Sequence, residues 1–158
     1  MIPLNSPIQQ SQFVVLEASV KLFVPDNTTE IDTSKSPIDL DYDIYQSLET
    51  PHKLRIILTI RGNMNEEVPG YVLLLKTGSE FDISPDLAPS SQEFQDFVKR
   101  AALPCVINEA RAYLQSMTIF LPFGKFTLPM LDINDLLQQK NEQLKQSPPV
   151  EASESKPD

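Results

Sequence analysis

The sequence predicts an α+β fold: a four-stranded antiparallel sheet followed by a long helix, a crossover loop and a second helix. Three observations point to it. Through the first three fifths of the chain apolar and polar residues alternate, the period of an extended strand whose successive side chains point to opposite faces. From Gln92 onward the apolar spacing changes to three and four, the period of an amphipathic helix. Clusters of Pro, Gly, Asn and Asp fall between the periodic segments, where the chain has to turn.

The first strand is QFVVLEASVKLF, in which Val14, Leu16, Ala18, Val20 and Leu22 are expected on one face and Glu17, Ser19 and Lys21 on the other. Pro25-Asp26-Asn27 ends it, and a polar connection leads to PIDLDYDIY, the second strand. After a turn at SLETPH, the third strand KLRIILTIRG sets Leu54, Ile56, Leu58 and Ile60 against Arg55, Ile57, Thr59 and Arg61. GNMNEEVPG reads as a hairpin loop, and YVLLLKTGSEFDI, rich in β-favouring residues, is the fourth strand. An antiparallel meander is expected.

SQEFQDFVKRAA carries Phe94, Phe97 and Val98 at helical offsets, with Ser90 or Ser91 as cap. LPCVINEARAYLQSMTIF is the long helix, through Val106, Ala110, Tyr113, Leu114 and Met117, with Pro104 at its start where proline is tolerated. Two prolines and a glycine in LPFGKFTLPML stop that helix and make a crossover loop. DINDLLQQKNEQLKQ resumes helical spacing behind a cap at Asp132 or Asn134. Residues 1–146 are thus expected to form one domain. Residues 147–158, SPPVEASESKPD, hold too little apolar surface to offset the entropy of ordering and are expected to be a disordered acidic tail.

Composition narrows the function. The chain has 158 residues, enough for a core that needs no disulfide or metal staple. One cysteine, Cys105, cannot form an intrachain bridge, and no basic residue precedes an apolar run near the N-terminus; a chain without signal peptide or membrane span, in the cytoplasm, is expected. The net charge of −9 repels phosphate backbones, so nucleic acid is not an expected partner. None of the four glycines sits in a phosphate-cradling or dinucleotide fingerprint. The one histidine, His52, lies in a turn, and Cys105 lies at a helix start, where a lowered thiol pKa would make a Cys-His pair conceivable. The bland alternatives are a loop histidine and a small buried thiol, and no catalytic residue is expected.

Asp39, Asp41 and Asp43 alternate with Ile38, Leu40, Tyr42 and Ile44. Along a strand such carboxylates stand about 6.6 Å apart, whereas one hard cation gathers its oxygens within roughly 2.6 Å of itself. A flat row is not a cage, and no metal is expected there. The simplest reading is a solvated sheet face; the other is a face that docks a basic partner. The second stretch of interest is IFLPFGKFTLPM, which puts Phe120, Leu121, Phe123, Phe126, Leu128 and Met130 in irregular chain beside one charge, Lys125. A loop this apolar either folds back on the core or exposes a patch that binds something.

Taken in order, these segments resemble the SecB family of protein-export chaperones. Leu103-Pro104 and Glu109-Ala110-Arg111 stand for the opening of that family's long helix, and Phe126-Thr127-Leu128-Pro129 is similar to its crossover; the likeness runs from about Phe13 to Gln146. The resemblance implies a subunit that pairs edge strands into a dimer and packs long helices into a homotetramer. It implies no cofactor and no catalysis: an ATP-independent holdase that binds unfolded preproteins for Sec export. Its client grooves are built from the crossover, the second helix and the sheet edge, which implies client contact at Phe120, Leu121, Phe123, Phe126, Leu128, Met130 and Leu137. The family docks the SecA motor through acidic residues at positions that fall here on Ser19, Phe23, Val72 and Leu74. None is acidic, which weighs against motor docking unless Asp39, Asp41 and Asp43 supply the negative face. The alternatives are a chaperone dedicated to one client, such as an antitoxin, and a scaffold without holdase activity.

Overall fold

The computed structural model describes residues 6–28, 30–46 and 49–146; the predicted tail at 147–158 lies outside the described residues. Four strands, β1 (Ile8–Phe23), β2 (Ile38–Gln46), β3 (Lys53–Gly62) and β4 (Gly70–Ile83), form one antiparallel sheet. Their order is β1-β4-β3-β2, so the sheet is not the expected meander. Only β2, β3 and β4 follow one another through hairpins. The polar connection after β1 carries the chain across the sheet, leaving the most buried strand, β4, with a partner on each side. That arrangement buries it on both flanks, whereas a meander would have left it at an edge.

Leu54, Ile56, Leu58 and Ile60 of β3, with Leu73, Leu75 and Phe81 of β4, form the buried face of the sheet. Registry of Asp39 with Arg61, Asp41 with Thr59 and Asp43 with Ile57 puts the three aspartates on the opposite face. In β1 the expected single apolar face is split. A register shift between Val15 and Glu17 inserts an extra residue, so Val14 pairs with Gly78 on the outer face while Ala18, Val20 and Leu22 pair with Leu75, Leu73 and Tyr71. Leu16 therefore turns outward beside Val14, where its side chain lies over Gly78.

The helical half begins at α1 (Gln92–Phe97), whose cap is Ser91: its Oγ accepts the Phe94 N–H at 3.0 Å. A π-helical turn, Val98–Ala102, joins α1 to α2 (Leu103–Thr118), and Pro104 sits in the first turn of α2, where it was expected. Proline has no N–H to return to the carbonyl four residues back. The wider turn, in which the Leu103 N–H reaches the Val98 carbonyl, accommodates that missing bond. Leu103, Val106, Ala110 and Leu114 of α2 then bury against the sheet. The last helix, α3 (Ile133–Gln146), starts at Asp132, whose Oδ1 accepts the Asn134 N–H at 2.9 Å. Ile133, Leu136 and Leu137 are only half-buried against the core, and no described residue of α3 is fully buried.

Candidate functional site

Residues 119–132 cross from α2 to α3 along a path pinned at three places. The Phe126 N–H donates to Thr118 Oγ1 at 2.8 Å. The Tyr71 hydroxyl accepts the Phe123 N–H at 3.1 Å and donates to the Gly124 carbonyl at 2.7 Å. Arg111 on α2 donates through Nε to the Leu128 carbonyl at 3.0 Å and through Nη2 to that of Pro129 at 2.9 Å. Gly124 turns with φ of 71°, a backbone that side chains disfavour.

This pinning sorts the apolar run. Phe126 and Leu128 are 2% and 1% exposed and belong to the core, Phe126 standing edge-on to Tyr71 with ring centroids 6.4 Å apart. Client contact at these two positions, as the resemblance implied, is therefore corrected: neither side chain reaches the surface of the subunit. Leu121 and Phe123 are half-buried. Phe120 and Met130, at 94% and 95% exposed, stand out from the loop. The loop thus both covers the core and presents two bare apolar side chains.

A groove of about 520 Å³ opens elsewhere, between β2, the α1–π turn segment and α3. Tyr42, Ile44 and Tyr45 form one wall, Phe94, Val98 and Leu103 the floor, and Leu137 and Leu144 the other wall, with Asp43, Gln95, Lys99, Lys140 and Asn141 at the rim. An apolar concavity edged by a few polar groups is the usual form of a ligand site. Of the seven expected contact residues, Leu137 lines it; the crossover residues do not. The sequence carried a signal for the β2 wall, since Tyr42 and Ile44 are the apolar half of the aspartate alternation. Nothing in it says that α3 comes to lie opposite.

The aspartates stand on the exposed outer face, as expected, and each has a cationic partner there. Asp39 Oδ2 pairs with Arg61 Nη1 at 3.1 Å across the strands. Lys140 on α3 places Nζ 2.7 Å from Asp41 Oδ1 and 3.0 Å from Asp43 Oδ1, and lies 5.7 Å from the Tyr42 ring centroid. Because α3 packs on the helix side and these carboxylates project from the other face, the lysine side chain crosses the free edge of β2. It is 16% exposed. Burial pulls its pKa down, but the hydrogen bonds to Asp41 and Asp43 outweigh that and hold it above the ordinary lysine value. Among the described residues no cluster of His, Cys, Asp and Glu is arranged to hold a metal.

Cys105 donates to Gln10 Oε1 at 3.6 Å, and Gln10 Nε2 donates to Glu109 Oε2 at 2.6 Å. The thiol is thus tied to β1, not to His52, whose carbonyl receives the Ile83 N–H in the turn before β3. Burial first, and then the Glu109 carboxylate, push the Cys105 pKa up, away from a thiolate.

No protein-family model and no curated protein sequence matches the chain. Among solved structures it superposes on a Mycobacterium tuberculosis SecB-like chaperone, Rv1957, in complex with a ChAD peptide from the Rv1956 HigA1 antitoxin. The TM-score is 0.54 at 13% identity, over 79% of this chain and 91% of that one. The chain has a SecB-like fold. A Streptococcus agalactiae protein of unknown function also matches, at 14% identity and a TM-score of 0.46, over 78% of this chain and 97% of that one. Within the SecB-like fold, Ser19, Phe23, Val72 and Leu74 lie on the outer sheet face, Ser19 in register with Leu74 and Lys21 with Val72. That face is part apolar and carries no acid at those four positions. No helix among the described residues is long and apolar enough to cross a membrane.

Proposed function

We propose that the chain is an ATP-independent holdase that binds extended, non-native polypeptide in the groove between β2, α1 and α3, with no catalysis and no cofactor. The groove is the observation that carries this reading. It is open, lined by aromatic and branched side chains, and bounded on one side by an edge strand. Contacts of that kind are non-directional and suit clients of varied sequence, each fully buried client side chain contributing about 1.5–3 kcal/mol. Phe120 and Met130 on the crossover add two exposed apolar side chains outside the groove, and flexible Met and flat aromatic side chains repack against different partners.

Two roles are compatible with such a chaperone, Sec export of preproteins and service to one dedicated client. The dedicated role has the better support. A SecA-docking face would need acids, but Asp39 is paired with Arg61, and Asp41 and Asp43 are both held by Lys140. The solved neighbour is a SecB-like chaperone bound to an antitoxin peptide. In this reading the protein acts in the cytoplasm as a homotetramer, a dimer of dimers. Its subunits meet through β1, because Lys140 already covers the free edge of β2.

A refolding assay tests the holdase. Near-stoichiometric protein, without ATP, is expected to delay refolding of a reduced, slow-folding client. An unchanged refolding rate would leave only the scaffold reading. SecA binding measured on the same protein separates the two roles, with none expected for a dedicated chaperone.

A further inference from the structure

The aspartate alternation ends in an arrangement that the groove alone does not require. Lys140 reaches around the edge of β2 to two carboxylates and lies against Tyr42, while Leu137 and Leu144 on the same helix form a groove wall. No described residue of α3 is buried, Leu144 is exposed, and the helix is attached through the half-buried Ile133, Leu136 and Leu137 near its start. Beyond them, Lys140 bonds α3 to the sheet through both carboxylates.

We propose that Lys140 is a positioning residue: by clamping α3 to Asp41 and Asp43 it fixes the movable wall of the groove and so sets how long an extended polypeptide is held there. The physical basis is preorganisation. A wall already ordered in the free protein adds no ordering cost when the client binds, whereas a loose one reduces the binding-competent fraction and weakens the grip in proportion. Two carboxylates around one ammonium give the clamp direction as well as strength, since charge-assisted bonds are the stronger kind. Asp39, turned to Arg61, has no part in it. The inference rests on the groove being the client site.

Backbone hydrogen exchange of the free, full-length protein reads the clamp directly. In Lys140→Met and in the double variant Asp41→Asn, Asp43→Asn, the α3 amides from Leu136 onward are expected to exchange about tenfold faster. Lys140→Arg and Asp39→Asn are expected to keep the parental rate. Reduced, carboxymethylated α-lactalbumin, which stays unfolded, is the client probe; its dissociation is expected to quicken about tenfold in the same two loosened variants. The proposal is overturned if α3 exchange is unchanged in both, if Asp39→Asn loosens α3 equally, or if α3 loosens while client dissociation stays put. If the parental protein binds no unfolded probe, the holdase reading falls, and the exchange data still decide whether the clamp exists.

Discussion

Phe120 and Phe126 belong to one apolar run, yet one ring stands in solvent and the other is sealed beneath α2 and Tyr71. In a strand or helix the period tells which side chains point inward; in an irregular crossover no period does. Burial there was settled by backbone hydrogen bonds of the crossover, the Phe126 N–H to Thr118, the Phe123 N–H to Tyr71 and the Leu128 carbonyl from Arg111, partners that lie outside the crossover itself. Substitution separates the roles. Phe126→Ser opens a core cavity and adds a hydroxyl, so a loss of at least about 3–5 kcal/mol is expected in denaturant unfolding. Phe120→Ser is expected to change stability by less than about 0.5 kcal/mol and to shorten the refolding delay of the client. If Phe120→Ser instead unfolds the chain, its ring is structural and the bare patch is not a contact surface.

At the scale of elements, the strands and helices follow local patterns closely, and the departures have local causes. The bulge after Val15 turned Val14 and Leu16, two of the five residues of β1's apolar row, outward. A π-helical turn, Val98–Ala102, leads from α1 into α2 just ahead of Pro104, which sits in the first turn of α2 as its position suggested. Capping at Ser91 and Asp132 was readable because short polar side chains ahead of an apolar period satisfy free N–H groups. The crossover depends on Tyr71, whose hydroxyl satisfies both the Phe123 N–H and the Gly124 carbonyl. Tyr71→Phe keeps the ring and strands those two groups. A destabilisation of about 1–3 kcal/mol is expected, together with faster amide exchange at Phe123; exchange no faster than in the parent would mean the pin is not structural.

For the whole molecule, the sheet has two edges of different character. β2 is crossed by Lys140, while β1 keeps a long free edge with Leu16 and Leu22 exposed beside it. An edge of that length with apolar flanks is a template for pairing with another chain. Leu16→Lys with Leu22→Lys is expected to lower the mass seen by sedimentation to that of a monomer, with the circular dichroism unchanged. Parental mass in that variant would move the subunit interface away from β1. Cys105 and His52 are not brought together: the thiol is raised in pKa and bonded to Gln10, and the imidazole lies in an exposed turn.

By itself the sequence determined the inventory: four strands, the helices after Gln92, their caps, and the absence of a phosphate-binding fingerprint. These rest on spacing along the chain, which fixes the face a side chain occupies once its element forms. Only the tertiary structure decided that β1 pairs with β4, that Phe126 and Leu128 are core, and that α3 comes to face β2 across a groove. It also decided the partner of the aspartates, since an ammonium nearly one hundred residues away reaches Asp41 and Asp43 by the way the chain closes on itself, about which local periodicity is silent.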